Sequence, residues 1–246
     1  MIRKKNNGLA LFLFLLITGS VFAAVISSCG KNGNVSPTAL NIRYQVVNLS
    51  PDVGPIALYI QYHNYNNRSY YYPSASGYFY LTLTDTPFQI RPGQSIIPGQ
   101  VVPTTNIVPN LDYILKPNLR YTLFIGGTVA NNNVQSLFLT DTSSLPATGR
   151  GKVRFVNVSP QQQNYDVVAN GTLAFANQAF MKVSPYIEIP SGSYNFQIFN
   201  AGTTTPVIGT LQNVNILDGR LYTIYTYGLA GQTDSLAFGG GVIANN

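Results

Sequence analysis

The chain has 246 residues, of which only 9% are charged, whereas aromatic residues make up 12%. Fourteen basic residues against eight acidic ones give a net charge of +6, but beyond the N-terminus the bases form no run, which argues against nucleic-acid binding. The single cysteine excludes an intramolecular disulfide, and the abundance of Tyr, Phe, Gly and Pro is typical of an all-β protein.

The first 28 residues have the organisation of a secretory signal sequence. A basic start at residues 3–5 precedes an apolar run over residues 9–17 and a second apolar segment over residues 21–26. A charged start, an apolar core and small residues before a cleavage site define such a signal. An uncleaved membrane helix is the alternative, although residues 9–26 are at the short end for a membrane span. We therefore predict that residues 1–28 are removed.

The end of this leader resembles the lipobox of bacterial lipoproteins. In Ile26-Ser27-Ser28-Cys29, an aliphatic residue and two small residues precede the only cysteine. The resemblance implies that Cys29 is the first mature residue and carries lipid through a thioether. It also implies several acyl chains, which anchor a protein stably where one chain binds only marginally. Residues 29–39 are polar and are predicted to form a tether.

Two pseudo-repeats follow the tether. The aligned pairs are residues 43–51 with 152–160, 78–90 with 186–198, 121–124 with 222–225, and 135–137 with 234–236. Because the four matches keep the same order at similar offsets, we predict two copies of one domain. The predicted domains cover residues 40–144 and 150–246, with a small-residue linker between them.

The second copy has the clearer strand pattern. Asn170-Gly171 is a strong two-residue hairpin turn, because both residues tolerate positive φ. Short strands with frequent turns favour two tandem antiparallel β-sandwich domains of Ig-like or transthyretin-like type. The predicted strands cover residues 153–158, 165–169, 172–175, 185–189, 194–198, 207–216 and 221–227, and residues 236–238 are expected to close the sheet.

The second copy contains a series of motifs in a fixed order, at residues 152–160 (KVRFVNVSP), 165–171, 184–186, 190–198 and 222–224. Through these motifs, residues 151–228 resemble the bacterial family DUF4397, whose members are domains of unknown function. The resemblance implies a small extracytoplasmic β-sandwich, often tandem and often part of a lipoprotein, and it brings no catalytic residues. The first copy departs from the pattern, since it lacks the Asn-Gly turn and has a tyrosine-rich segment over residues 62–73.

The tyrosine-rich segment contains the candidate binding residues. Eight tyrosines lie between residues 59 and 80. Tyrosine offers a flat, rigid surface with a polar tip, which suits sugar rings and protein partners. The alternative is that these rings pack within the sheet or cover a loop. The residues predicted to line a contact surface are Tyr65, Tyr70, Tyr71, Tyr72, Asn64, Asn66 and Arg68.

No catalytic or metal-binding pattern is visible. His63 is the only histidine, and the acidic residues are dispersed along the sequence. The repeated motifs Asn48-Leu49-Ser50-Pro51 and Asn157-Val158-Ser159-Pro160 are predicted to be strand-ending turns in which Asn or Ser bonds the local backbone. We therefore expect a protein that is not an enzyme and needs no cofactor or metal.

The resulting hypothesis is a lipid-anchored outer-membrane protein that binds or scaffolds polysaccharide or another envelope protein. Residues 30–34 contain no acid, which favours the periplasmic face over the cell surface. The alternatives are a passive structural spacer and an accessory subunit or degenerate enzyme of polysaccharide processing.

Overall fold

The computed structural model describes residues 40–82, 84–94, 104–161, 163–207 and 211–245. The leader, Cys29 and most of the tether lie outside these residues, so cleavage and lipidation stay predictions. Within the described ranges, no helix has the length and apolar character needed to cross a bilayer.

The described chain is built from strands. The first repeat contains β1 (Arg43–Asn48), β2 (Ile56–Ile60), β3 (His63–Asn64), β4 (Ser74–Ala75), β5 (Phe79–Tyr80), β6 (Phe88–Pro92), β7 (Arg120–Gly126) and β8 (Gln135–Thr140). The second repeat contains β9 (Arg150–Asn157), β10 (Tyr165–Ala169), β11 (Thr172–Gln178), β12 (Lys182–Val183), β13 (Ile187–Pro190), β14 (Gly192–Asn200), β15 (Leu211–Ile216), β16 (Leu221–Tyr227) and β17 (Gly239–Ala244).

Each repeat has an inner sheet, which faces the other repeat, and an outer sheet. The inner sheets have the orders β4-β1-β7-β8 and β12-β9-β16-β17, and β5 and β13 also pair with β1 and β9. The outer sheets are β3-β2-β6 and β11-β10-β14-β15. The predicted all-β fold with tandem sandwiches is confirmed. The sandwiches are not purely antiparallel, because β1 pairs with β7 and β9 pairs with β16 in parallel. The remaining strand pairs of the described sheets are antiparallel.

A separate apolar core lies between the two sheets of each repeat. Tyr44 and Val46 of β1 point into the first core, whereas the neighbouring Val47 points to the opposite side. Strand β9 behaves in the same way, with Val153 and Phe155 in the second core and Val156 on the other side. Strands buried on both faces lose the apolar–polar alternation, which explains the nearly continuous apolar character of both segments.

The repeated Asn-x-Ser-Pro motif closes each sandwich in the same way. Asn48 donates from Nδ2 to the carbonyls of Gly54 and Tyr70, both at 3.1 Å, and Asn157 donates to Gln163 and Gln178 at 2.7 and 3.0 Å.

The serine of the motif donates a hydrogen bond of 2.8 Å from its hydroxyl to a backbone carbonyl just after the neighbouring parallel strand. Ser50 donates to Gly127, which follows β7, and Ser159 donates to Gly228, which follows β16. The backbone N–H of each serine also donates to its neighbouring Asn side chain at 3.2 Å. These bonds satisfy buried backbone groups. The predicted structural role of the motif is confirmed.

The predicted closing strand at residues 236–238 is wrong. The closing strand is β17, in which Ala244 lies opposite Tyr222 as Thr140 of β8 lies opposite Tyr121. The match of residues 135–137 to 234–236 is therefore not a structural equivalence. Three consecutive glycines concealed the strand, because glycine is disfavoured in strands. Two of the three, Gly239 and Gly241, leave room for the Tyr227 and Tyr225 rings of β16, which a Cβ at either position would overlap.

The two repeats pack through their inner sheets. Equivalent residues meet in this interface, since the ring centroids of Phe124 and Tyr225 lie 5.8 Å apart. The buried apolar residues of the interface are Val47, Leu49, Phe124, Leu139, Val156, Val158, Met181, Tyr225 and Ile243.

A polar network crosses the same interface. Arg154 of β9 forms a buried ion pair with Asp141 and donates from Nη1 to the Thr140 carbonyl at 3.0 Å. Asn245 of the second repeat donates a hydrogen bond of 2.9 Å to the Tyr78 hydroxyl of the first. This hydroxyl in turn donates to the Asp141 carboxylate at 2.8 Å. Burial raises the pKa of the Asp141 carboxyl, and Arg154 beside it opposes that shift.

We predict that Arg154→Met strongly destabilises the protein. The substitution leaves the Asp141 carboxylate buried without its cation, which costs about 3–5 kcal/mol of unfolding free energy. The double variant Asp141→Asn/Arg154→Met removes both charges and is expected to recover most of that loss. Urea unfolding measures the unfolding free energy of both variants. Substitution of the exposed Lys116 by Met is the control, and its unfolding free energy is expected to stay within about 0.5 kcal/mol of that of the native protein. Equal losses in the single and double variants would contradict this assignment.

Candidate functional site

The structure does not bring the four predicted tyrosines to one surface. Tyr70 is only 3% exposed and belongs to the first core, so it cannot contact a partner. Tyr65 stacks on Phe79 with centroids 5.8 Å apart and donates its hydroxyl to the Tyr80 carbonyl at 2.9 Å.

The other two tyrosines of the predicted surface, Tyr71 and Tyr72, differ in their exposure to solvent. Tyr72 packs edge-on against Tyr227 of the second repeat at 6.2 Å, and burial raises its pKa to about 12. Tyr71, in contrast, is 50% exposed. Of the four, Tyr71 is therefore the ring most available to a partner.

The polar members of the predicted surface make short-range contacts. Asn66 accepts from the Arg68 backbone N–H at 3.3 Å, and the Arg68 guanidinium lies 5.9 Å from the centre of the Tyr70 ring. His63 is exposed, and its Nδ1 lies 2.7 Å from the Gln61 carbonyl oxygen. Asn64 does not join them, because its side chain lies next to the Tyr59 hydroxyl.

The first repeat contains a hairpin, between β2 and β3, that was not predicted from the sequence. Gln61 and Tyr62 join β2 to β3, with Ile60 opposite His63, in the position that Asn170-Gly171 occupies in the second repeat. Both residues have positive φ, 48° and 66°. A non-glycine residue in this region carries a cost of roughly 1–2 kcal/mol. The turn was missed because Gln and Tyr are not the residues that such turns favour.

The outer face of the β3-β2-β6 sheet carries the best-defined polar and aromatic surface among the described residues. Strand pairing places Tyr59 opposite Gln89 and Ala57 opposite Arg91, so Tyr59 and Arg91 project outward. Tyr62 extends from the hairpin and is 61% exposed. We call this surface the Arg91 face; its half-exposed and exposed members are Tyr59, Tyr62, Asn64, Arg91, Asn106 and Asn110, and the buried Gln89 supports them from the same side of the sheet.

The Arg91 guanidinium is the centre of this face. It lies 4.7 Å from the centre of the Tyr59 ring and 6.0 Å from that of Tyr62, within the range of cation–π contacts. Its Nε donates to Asn106 Oδ1 and its Nη2 donates to Gln89 Oε1, both at 3.1 Å. These contacts hold the side chain in one orientation.

A chain of amides continues the network. Asn110 Oδ1 accepts from Gln89 Nε2 at 3.0 Å and from Asn106 Nδ2 at 2.6 Å. Asn64 Nδ2 lies 3.5 Å from the Tyr59 hydroxyl, at the limit of a hydrogen bond. Amides can donate and accept hydrogen bonds at the same time, which suits them to neutral ligands rich in hydroxyl groups.

The Arg91 face is suited to recognition. It contains aromatic rings, one cation and several amides, and it contains no carboxylate that might serve as a general acid or base. In the described part of the chain, no cluster of three or more His, Cys, Asp and Glu residues has the geometry to bind a metal ion.

Part of this site was accessible from the sequence. The repeat alignment paired Phe88-Gln89-Ile90 with Phe196-Gln197-Ile198, and strand alternation would have placed Arg91 on the same face as Gln89. The contribution of Tyr59 and Tyr62 depends on the hairpin register. Asn106 and Asn110 come from a loop whose position only the structure shows.

The fold and this surface define a class of protein: tandem β-sandwich domains with an aromatic and amide-rich face on the first domain. The chain belongs to the family described as "Domain of unknown function (DUF4397)", whose model matches residues 41–164 and 151–239. The family predicted from the sequence is thus confirmed.

Two solved structures show weak similarity. The C-terminal domain of AlgF from P. aeruginosa is 16% identical, covers 39% of this chain and 98% of its own, and has a TM-score of 0.31. The Bacillus anthracis TIE protein is 9% identical, covers 82% of this chain and 43% of its own, and has a TM-score of 0.22. Neither likeness is close enough to bear on function. No curated protein matches the chain.

We predict that Gln61→Asn/Tyr62→Gly stabilises the protein. Asn-Gly adopts this turn without the backbone cost of the native pair, so the unfolding free energy is expected to rise by about 1 kcal/mol. The reciprocal control is Gly171→Tyr, which places a side chain at φ 83° and is expected to lose about 1–2 kcal/mol. Thermal or urea unfolding measures both changes. A loss of stability in the Asn-Gly variant would show that Tyr62 supports the fold.

Proposed function

We propose that this protein is an envelope-anchored lipoprotein with a non-catalytic binding role, and that it recognises a glycan through the Arg91 face. The observation that supports this function is the stack of Arg91 with Tyr59 and the exposed Tyr62. The apolar faces of sugar rings pack on aromatic rings, and sugar hydroxyls accept from guanidinium and amide groups.

The organisation of the face favours binding over a passive spacer. The Arg91, Gln89, Asn106 and Asn110 side chains are held by mutual hydrogen bonds before any ligand arrives. Preorganised groups lose less entropy on binding. Backbone strain in proteins is concentrated at functional sites, and the Gln61-Tyr62 turn accepts such strain in order to display an exposed ring.

The anchor places this face at a membrane. The lipobox-like Ile26-Ser27-Ser28-Cys29 supports lipidation, and the absence of acids in residues 30–34 supports the periplasmic face of the outer membrane. Protease treatment of intact cells distinguishes the faces, since a periplasmic protein is degraded only after the outer membrane is permeabilised.

We predict that Cys29→Ala abolishes lipid attachment. Cells grown with an alkyne analogue of palmitate are expected to label the native protein and to leave the variant unlabelled, because the thioether needs the thiol. The native protein is expected in the membrane fraction and the variant in the soluble or inner-membrane fraction. Labelling of the variant would show that the anchor lies elsewhere.

We predict that Tyr62→Ala and Arg91→Ala each weaken glycan binding by about ten-fold, which corresponds to about 1.4 kcal/mol. The full chain, purified in detergent, is first screened on a glycan array and against envelope extracts, and the affinity is then measured by calorimetry. Tyr71→Ala is the comparison, because Tyr71 is also exposed but lies outside the Arg91 face. A loss in Tyr71→Ala without a loss in Tyr62→Ala would move the site to the tyrosine-rich segment.

Two other outcomes would replace the proposal. Capture of an envelope protein without any glycan would favour a scaffolding role, for which exposed Tyr and Arg side chains are equally typical contact residues. Cleavage of a glycan by the pure protein would overturn the non-catalytic assignment.

A further inference from the structure

A concave site lies where the two repeats and their linker meet, away from the Arg91 face. It is an open pocket of about 310 Å³. Its walls come from the start of β7, from the linker, from the turn before β16 and from the C-terminal end of the described chain. The lining residues are Arg120, Asp141, Thr142, Ser143, Leu145, Gly219, Arg220, Leu221 and Asn245.

The side chains of two arginines in this pocket, Arg120 and Arg220, have no hydrogen-bond or ion-pair partner among the described residues, although their backbone groups are bonded. The ion pairs of the described chain are Lys152 with Glu188 and Arg154 with Asp141, and neither includes Arg120 or Arg220. The Arg120 Nε is buried and makes no hydrogen bond. Leaving a buried donor on a charged group without a partner is unfavourable, so such a group in a pocket calls for an acceptor.

The acidic groups near the pocket are already neutralised or bonded. The Asp141 carboxylate is paired with Arg154 and accepts from Thr122 and Tyr78. Asp218, beside Gly219, accepts from the Gly149 and Arg150 backbone N–H groups at 2.8 and 3.2 Å.

The neighbouring bases are also engaged. Arg43 lies opposite Arg120 in the parallel register and donates to the Tyr80 hydroxyl at 3.1 Å. Lys152 donates to the Ser144 hydroxyl at 2.7 Å. The local excess of positive charge therefore resides on Arg120 and Arg220.

We propose that this pocket binds an oxyanion on a small polar molecule, held by Arg120 and Arg220. A planar guanidinium donates two parallel hydrogen bonds to a carboxylate, sulfate or phosphate, which makes arginine the preferred residue for these groups. The Thr142 and Ser143 hydroxyls can bond to the rest of such a molecule, and Leu145 and Leu221 supply apolar contact. The volume is near the lower end of the range for small-molecule sites, about 300–1,000 Å³.

The test is calorimetric titration of the full chain, purified in detergent, with glucuronate, glucose 6-phosphate, inorganic sulfate and uncharged glucose. The three anions are expected to bind more tightly than glucose, and raising the salt to about 0.15 M is expected to weaken them. If sulfate binds and the two acidic sugars do not, the site recognises a free inorganic oxyanion. If the acidic sugars bind at least about ten-fold more tightly than sulfate, the rest of the sugar is recognised too. Either result supports the pocket.

Substitutions assign the binding to the pocket. Arg120→Gln and Arg220→Gln are each expected to weaken anion binding at least about ten-fold, and Lys182→Gln removes the same charge from an exposed site outside the pocket and is expected to leave it unchanged. Circular dichroism confirms folding, and Arg220, which is exposed, provides the safer variant. Binding no stronger for the anions than for glucose, or equal losses in all three variants, would overturn the proposal. Tyr62→Ala is expected to retain anion binding, so failure of the glycan assignment and failure of this one are distinguishable.

Discussion

The structure depends on the burial of β1 and β9 on both faces, because these strands serve their own core and the interface between repeats at once. Each therefore carries apolar residues on both sides, and a buried polar side chain, Gln45 or Arg154, lies on the side of the interface. A buried polar group must be hydrogen-bonded, and a buried charge must be paired. The Arg154–Asp141 pair meets this requirement within the otherwise apolar interface of the two domains.

The interface is built from equivalent positions that have become complementary. Gln45, Tyr78, Thr122 and Asp141 of the first repeat correspond to Arg154, Tyr186, Thr223 and Asn245 of the second. Identical residues at these positions would place like charges or unmatched donors close together in the interface. The substitution of Arg for Gln and of Asp for Asn gives one cation and one anion. Such asymmetry favours pairing between the two different copies over self-association.

The sequence predicted the fold well where physical signals are local. The Asn170-Gly171 turn, the strand after it and the role of Ser159 follow from backbone preferences and alternation. It failed where tertiary contacts override those preferences. Gly239–Ala244 forms a strand despite its glycines because it pairs with β16, whose tyrosine rings occupy the space beside Gly239 and Gly241. Gln61-Tyr62 forms a turn against the preference of its residues. Tyr70 was predicted on a surface and lies in the core, because a tyrosine count cannot tell a packed ring from a displayed one.

The two outer sheets carry different side chains, so recognition is proposed for only one of them. Gln89 and Gln197 occupy equivalent positions, but their neighbours differ: Arg91 of the first repeat corresponds to Phe199 of the second, and Tyr59 to Val168. A cation between two rings and a network of amides exists only where all of these substitutions coincide. The second repeat keeps the regular hairpin and a more apolar outer face. Each repeat has its own core and both contribute to the interface, so the unusual Gln61-Tyr62 turn at the outer sheet lies apart from the contacts that hold the two domains together.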